Sequence, residues 1–148
     1  MRLTATHFGA PQGARRHRMT VRAGHARAYT DARQMSEEAS LAEVLRASVP
    51  VGWSADGPYC VHVVAWFARP GRLKRKADRG SGMVPHISKP DVDNIAKLVL
   101  DAATRAGVWR DDALVYRLEV ERWYLPLSSE GAEVGLPRVE VEVLHGVG

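Results

Sequence analysis

A nine-residue apolar run, Tyr59 to Phe67, places the strongest constraint on how this 148-residue chain can fold. The run reads YCVHVVAWF, is rich in β-branched and aromatic residues, and has one strongly polar member, His62. Such residues favour strands, and a strand without polar alternation is typical of the middle of a sheet. We therefore predict a central strand here, with His62 as a hydrogen-bonded core residue and Cys60 as a buried thiol.

Two amphipathic helices are predicted, one on each side of that strand in the sequence. The first begins at Thr30 or Asp31, either of which can cap it, and continues to about Ser48. The second begins at Asp93 and ends at Gly107, a residue well suited to the left-handed position after a helix. Both carry apolar residues at helical spacing, so each should pack one face against the sheet.

The rest of the chain predicts further strands and one long loop. Leu3 to Phe8 should form a first strand, and Arg16 to Tyr29 a hairpin. Leu114 to Tyr124 should form a long strand that pairs with Arg138 to Leu144. Arg69 to Lys89 lacks an apolar period and should be an exposed, mobile loop. We therefore predict one α+β domain, residues 1–148, with a mixed or antiparallel sheet and two main helices on one face.

The sequence has no segment typical of a membrane-spanning or secreted protein. It contains no run of about 20 apolar residues, and its N-terminus lacks the apolar core of a signal peptide. Its single cysteine, Cys60, cannot close a disulfide within the chain. We expect a soluble, cytoplasmic protein with no membrane partner.

Positive charge is concentrated in two segments. Residues 1–35 contain seven arginines and one acidic residue, and residues 69–90 contain seven basic residues and one acidic residue. Residues 91–148 instead contain eleven acidic residues and six basic ones. This distribution predicts a surface that binds nucleic-acid phosphates, separate from a negatively charged centre.

Carboxylates are gathered around the predicted start of the second helix. Asp91 and Asp93 open it, and the pair Asp111-Asp112 follows it. The helix should be about 20 Å long, and the extended segment after it can span a similar distance, so we expect Asp112 to return beside Asp91 and Asp93. Lys97, one turn after Asp93, should lean back toward them. Together these side chains predict a Mg²⁺ site suited to phosphodiester hydrolysis.

Simpler interpretations of the same residues stay open. Asp93 alone is a good helix cap, Asp91 is a surface acid favoured by the helix dipole, and Asp93 with Lys97 is an ordinary i,i+4 pair. Asp111-Asp112 alone is typical of a solvated turn. An EF-hand is excluded, because counting from Asp91 places alanines where glycine and glutamate are required.

Two sequence blocks carry a resemblance to a known family. KPDVDNIAKLVLDA, residues 89–102, is followed by AGVWRDDALV, residues 106–115. Together they resemble the KPDxDNxxKxxLDA and GxxxDDxxV signature of the RusA family of Holliday junction resolvases. The resemblance implies a small mixed α/β homodimer, bacterial or phage-encoded and often carried by a prophage, that uses Mg²⁺ to nick two opposed strands of a four-way DNA junction.

The resemblance also implies roles for individual residues. Asp91, Asp93 and Asp112 match the family's catalytic, metal-binding aspartates, Lys97 matches its functional lysine, and Asp111 matches the preceding aspartate as a further candidate ligand. Mn²⁺ is expected to substitute for Mg²⁺, and no small-molecule cofactor is expected. The bases expected to bind DNA phosphates are Arg15, Arg16, Arg18, Arg22, Arg27, Arg72, Lys74, Arg75, Lys76, Arg79 and Lys89.

We therefore predict a metal-dependent, structure-selective endodeoxyribonuclease that resolves four-way junctions by paired nicks in recombination or repair. A flap nuclease, or another branched-DNA nuclease of the same fold, is an alternative within this class. A non-catalytic basic DNA-binding protein, whose acids only cap a helix, is an alternative from another class. Such a protein would bind DNA without any need for Asp91 or Asp112.

Overall fold

The computed structural model describes residues 1–14, 18–22, 24–29 and 32–147, with the side chains of 18–22 and 25–29 left out. It contains a five-stranded sheet, a separate two-stranded hairpin and two helices packed on the sheet. The elements are β1 (Arg2–Phe8), β2 (Arg18–Arg22), β3 (His25–Tyr29), α1 (Ala32–Ser48), β4 (Tyr59–Phe67), β5 (Val84–Pro85), α2 (Val92–Ala106), β6 (Val115–Tyr124) and β7 (Arg138–His145), with 3₁₀ turns at Gly71–Leu73, Lys76–Asp78 and Asp112–Leu114.

The main sheet is mixed, with strand order β1-β7-β4-β6-β5. β4 lies in the middle, antiparallel to β7 and parallel to β6. The predicted pairing of β6 with β7 is therefore wrong, because β4 lies between them. The alternate valines of β7, Val139, Val141 and Val143, are buried in the core, and β7 pairs with β4 on the side away from β6.

The hydrophobic core lies between one face of the sheet and the two helices. Alternate residues of β4, among them Val61 and Val63, are buried there with Leu45 of α1 and Ile95 of α2. This arrangement confirms the predicted central strand and the two helices on one face. Because no helix within the described residues covers the opposite face, the residues of β4 between the buried ones are only partly buried.

The predicted core positions of His62 and Cys60 are wrong for this reason, whereas His62 does have the hydrogen-bond partner that was predicted. Both residues lie on the second, partly exposed face of β4 rather than in the core. The His62 imidazole forms a close contact with the Glu121 carboxylate on the neighbouring strand β6. This contact, and then a hydrogen bond from the Trp123 indole, lowers the pKa of Glu121.

Both predicted helices are present. α1 buries Leu41, Ala42 and Leu45, while its expected cap residues Thr30 and Asp31 lie outside the described residues. α2 begins one residue earlier than predicted, with Asp91 rather than Asp93 at the N-cap position. No helix among the described residues is long and apolar enough to cross a bilayer. Gly107, directly after the last residue of α2, has the predicted left-handed conformation, with φ of 76°.

The strand predictions near the N-terminus are confirmed. β1 forms one edge of the main sheet and pairs antiparallel with β7. β2 and β3 pair antiparallel, with Arg22 opposite His25, so the predicted hairpin is present within the described residues.

The segment from residue 69 to residue 89 has more internal structure than the predicted loop. It contains two 3₁₀ turns and the short strand β5. Arg69 at its start is only 4% exposed. The Arg69 guanidinium donates to the carbonyls of Leu125 at 2.7 Å, Leu73 at 3.1 Å and Gly82 at 2.6 Å. Arg69 therefore stabilises the loop from inside.

Candidate active site

Two of the predicted carboxylates lie together at the exposed start of α2. Asp91 occupies the N-cap position and Asp93 lies in the first turn. Both side chains are exposed, and both line a depression of about 700 Å³ together with Lys89 and Asn94. The positive end of the helix dipole favours the two negative charges at this position.

The N-terminal segment forms the opposite wall of this depression. The Ala14 amide donates to the Asn94 carbonyl at 2.8 Å. Only glycine fits at position 13, because a Cβ there would lie 2.8 Å from the Pro90 Cβ. The chain continues directly from this contact into Arg15 and the hairpin that carries the predicted DNA-binding arginines.

Arg122 of β6 holds the segment that leads into α2. Its Nη1 donates to the Ser88 carbonyl at 2.7 Å and to the Pro90 carbonyl at 3.0 Å, and lies 3.3 Å from the His86 Nδ1. His86 is 5% exposed and stacks on Phe67 with ring centroids 3.6 Å apart. Burial, and then the neighbouring Arg122 charge, lower the pKa of His86.

Arg122 is not among the site residues predicted from the sequence. The position of Arg122 in β6 could have identified it. Arg122 lies on the same face of the strand as Val120 and Tyr124, and this is the face that packs toward the core. A charged residue at such a position needs partners, and backbone carbonyls provide them here.

Lys97 lies one turn after Asp93 on α2 and is exposed, as its spacing predicts. A helical side chain leans toward the N-terminus of its helix, so the ammonium can reach a phosphate held near Asp93. Lys97 does not itself line the depression that Asp91 and Asp93 line, so its contact with a bound phosphate stays a prediction.

Asp112 lies elsewhere. It lines a second depression with Glu38, Asp101 and Thr104, toward the far end of α2. Asp101, which lines the same depression as Asp112, lies about 15 Å from Asp91 along the helix axis, because an α-helix rises about 1.5 Å per residue. The expected return of Asp112 to Asp91 and Asp93 is therefore wrong for a single chain.

The burial of Val108 and Trp109 explains this position. Both side chains lie in the core. The Trp109 indole donates to the Thr104 hydroxyl at 2.8 Å, and the Arg110 amide donates to the Ala55 carbonyl at 3.2 Å. These contacts direct the chain inward past the last turn of α2, so the extended return that its length allows does not form.

Asp111 and Asp112 open a 3₁₀ turn before β6. The Asp111 carboxylate accepts a hydrogen bond from the Ala113 amide at 2.8 Å and so caps this turn. Burial raises the pKa of Asp112, and a hydrogen bond with Asp111 and repulsion from Asp101 raise it further. The negative charge of Asp112 is thus disfavoured within one chain, and a nearby cation would stabilise it.

A three-aspartate metal site does not form within one chain. Among the described residues, no three His, Cys, Asp or Glu side chains come together in a way that could hold a metal ion. Asp91 and Asp93 provide two carboxylates at one place and Asp112 a third at another. The Mg²⁺ site implied by the resemblance therefore does not fit a single copy of the chain, and the roles of these aspartates and of Lys97 stay predictions.

The predicted DNA-binding residues fall into two groups. On the loop, Arg72, Lys74, Arg75, Lys76 and Arg79 are all exposed. Lys74 is already paired with Glu133, with Nζ 2.6 Å from the carboxylate. The second group lies toward the N-terminus. Two of its members, Arg15 and Arg16, are outside the described residues. The others lie on β2 and β3, whose side chains are not described: Arg18, Arg22 and Arg27. Lys89 is exposed at the rim of the depression that Asp91 and Asp93 line.

A small mixed α/β domain with carboxylates at an exposed helix start and two basic segments before that helix in the sequence has the character of a nucleic-acid-processing enzyme. The family model for endodeoxyribonuclease RusA matches residues 9–144, nearly the whole chain. The chain therefore belongs to the RusA endodeoxyribonuclease family. None of the curated proteins compared with the chain matches it.

Proposed function

We propose that this protein is a Mg²⁺-dependent endonuclease that resolves four-way DNA junctions by paired nicks, working as a homodimer. Asp91 and Asp93 form part of its active centre, and Lys97 stabilises the charge that develops on the phosphate in the transition state. Asp112 completes the carboxylate set.

One observation carries this proposal. Asp91 and Asp93 lie side by side at the exposed start of α2, in a depression whose other wall leads directly into the arginine-rich hairpin. Phosphates bound by the hairpin would pass close to the carboxylates and to Lys97. Membership of an endodeoxyribonuclease family supports the same chemistry, the hydrolysis of DNA phosphodiester bonds.

A cleavage assay tests the proposal. Four-way junction, flap and linear duplex DNA of the same sequence are incubated with the protein and Mg²⁺. We expect two opposed strands of the junction to be cut at least about tenfold faster than the flap, and the duplex to stay intact. Asp93→Asn should lower junction cleavage by about 100-fold or more, because it removes a charge at the centre, and should leave junction binding nearly unchanged.

The matched control is Glu43→Gln, which also removes one exposed negative charge but lies on α1, outside both depressions that the aspartates line. It should cut at the wild-type rate. Chelation should stop cleavage without unfolding the protein. If Asp93→Asn cuts at the wild-type rate, the start of α2 is not the active centre. If the wild type cuts the flap faster than the junction, the protein is a flap nuclease.

A non-catalytic DNA-binding protein is the second candidate, and the separation of Asp112 from Asp91 and Asp93 in one chain favours it. In that case the wild type would bind the junction with Mg²⁺ present and leave every strand intact. The same assay therefore distinguishes the two functions.

A further inference from the structure

We infer that Ile87 is a wedge residue: its side chain inserts beside the bases at the branch point of the junction and so favours branched DNA over a duplex. This role rests on the proposed function for its substrate. Three features of the structure support it, namely the exposure of Ile87, the fixed backbone on both sides of it, and its position beside the candidate active site.

Ile87 exposes a large apolar side chain. The side chain is 84% exposed, although isoleucine is among the residues most often buried. The alternation that begins in β5 explains this exposure. Val84 packs against the core and His86 is buried, so Pro85 and Ile87 face outward. A single exposed isoleucine is ordinary on a protein surface, and the other two features give this one its significance.

Arg122 fixes the backbone on both sides of Ile87. The Arg122 main-chain carbonyl accepts a hydrogen bond from the His86 amide at 3.1 Å, and its guanidinium donates to the Ser88 carbonyl at 2.7 Å. The His86 ring is itself packed on Phe67, with centroids 3.6 Å apart. A side chain on a fixed backbone loses little conformational freedom on binding, so it can insert at a defined place at a low entropic cost.

Ile87 lies close to the start of α2. The carbonyls of Ser88 and Pro90 bind the same Arg122 nitrogen, Nη1, so they converge, and the first carboxylate of the candidate active site follows directly after them. Val92, which separates the two aspartates in the sequence, is also apolar and is 42% exposed. The start of α2 therefore presents apolar and charged side chains together.

A DNA base fits this combination of side chains. An isoleucine side chain has no hydrogen-bonding group and cannot bind a phosphate, whereas apolar side chains of this size do insert between base steps. Lys89, Asp91 and Asp93 are all exposed and line the neighbouring depression. A protein partner seated on Ile87 would have to bury these charges, which is unfavourable. DNA instead brings phosphates to Lys89.

Insertion of an apolar side chain favours branched DNA. The side chain separates two stacked bases, and this unstacking costs free energy. The cost is smallest where pairing and stacking are already interrupted, as they are at a branch point. We therefore expect Ile87 to bind at the crossover rather than along a paired arm, and to place the nearby carboxylates beside the strands that cross there.

Fluorescence of 2-aminopurine, an adenine analogue that becomes brighter when it unstacks, tests this role. The analogue is placed next to the branch point of a four-way junction or, in a second junction, about ten base pairs along one arm. Both proteins carry Asp93→Asn, so that no strand is cut during the measurement. The chain with Ile87 should raise the emission at the branch point at least about threefold, and Ile87→Ser by less than about 1.5-fold, because serine cannot replace the lost stacking. Emission from the arm should change little in either case.

Two control variants accompany this measurement. Ile87→Met retains an apolar side chain of similar volume and should retain the rise in emission. Val51→Ser removes a side chain that is 97% exposed but lies elsewhere, since nearby Trp53 is bonded to the Val108 carbonyl beyond the far end of α2. It should also retain the rise. A full rise with Ile87→Ser, or an equal loss with Val51→Ser, would overturn the inference.

A junction with mismatched bases at the branch point provides a second measurement. Its bases are already unstacked, so a wedge adds little. Ile87→Ser should bind the fully paired junction about tenfold more weakly than the chain with Ile87, and should bind the mismatched junction and a linear duplex within about twofold of it. Fluorescence anisotropy measures the three affinities. An equal loss for all three DNAs would show that Ile87 is a general DNA contact, and the wedge would be overturned.

The outcomes distinguish this role from the proposed function. A rise in emission, together with a wild type that cuts no strand, would overturn the proposed function and leave the wedge in place. Cleavage of the junction without any rise in emission would do the reverse. Sedimentation of Ile87→Ser checks the remaining alternative. If this variant dissociates where the wild type is a dimer, Ile87 belongs to a contact between two copies of the chain, and the inference is overturned.

Discussion

Arg122 and His86 determine how α2 begins. The Arg122 guanidinium binds carbonyls on both sides of Lys89, and the His86 ring is enclosed between Phe67, Tyr124 and this guanidinium. Neither side chain is one of the predicted ligands. Both side chains fix the backbone immediately before Asp91, so they help to determine where the Asp91 carboxylate lies.

The buried His86 should make the stability of the fold depend on pH. Its pKa is lowered from 6.5 in the folded chain by burial and by Arg122. Well above about pH 6.5 the imidazole is neutral in the folded and in the unfolded chain. Below this pH only the unfolded chain takes up the proton readily. The free energy of unfolding should therefore fall as the pH decreases from 7.5 to 5.5, by at most about 1.4 kcal/mol per pH unit from this residue.

His86→Phe retains an aromatic ring beside Phe67 and cannot titrate. The measurement is urea unfolding of both proteins across this pH range. The difference in unfolding free energy, wild type minus variant, should become smaller as the pH falls. The same difference at every pH would show that His86 binds protons equally in the folded and unfolded states.

At the level of elements, the basic loop has both a structural and an exposed part. Arg69 is buried and bound to three carbonyls, whereas Arg72 and Lys76 lie exposed on the two 3₁₀ turns. Sequence composition predicted the exposed charges correctly. It did not predict the turns or the place of Arg69, because its partners Leu125 and Gly82 are distant in sequence and are brought together only by the folded sheet.

Neutralising Arg72 and Lys76 together, by Arg72→Ala and Lys76→Ala, should weaken DNA binding for any sequence. If each meets one phosphate, the slope of log K against log salt concentration should become shallower by about 1.8 in total, at about 0.9 per contact. Fluorescence anisotropy with a labelled junction at several salt concentrations measures this slope.

Lys74→Ala is the matched control, since Lys74 is paired with Glu133. We expect it to change the slope by less than either exposed base. An unchanged slope in the double variant would mean that this loop does not contact DNA.

For the whole molecule, local patterns predicted the elements, the central strand and the helices on one face, but not the strand order or the position of Asp112. The apolar run of β4 and the helical spacing of α2 gave both elements nearly to the residue. The neighbour of β7 and the position of Asp112 were predicted wrongly. Chain length showed that Asp112 could reach the start of α2, but the burial of Val108 and Trp109 decides the direction the chain takes. Such burial depends on the assembled core.

The proposed homodimer predicts how a plasmid with an extruded cruciform is cut. Wild-type protein should make both nicks in one encounter and release linear DNA, because two centres act on one junction. After exchange with excess Asp93→Asn protein, most wild-type chains lie in heterodimers with one intact centre, so nicked circles should replace linear product. Gel electrophoresis of the plasmid measures both products. Unchanged linear product after exchange would show that one chain makes both cuts.

The close contact of Gly13 and Ala14 with the start of α2 has a mechanical consequence. The arginine-rich hairpin follows this contact directly, and the Ala14 amide is bonded to the Asn94 carbonyl within the first turn that carries Asp93. If the hairpin binds DNA as proposed, force on the hairpin would act on the first turn of α2 as well. Binding of the substrate and positioning of the proposed active-centre aspartates would then be coupled, and a duplex that cannot bend to follow both would be bound without being cut.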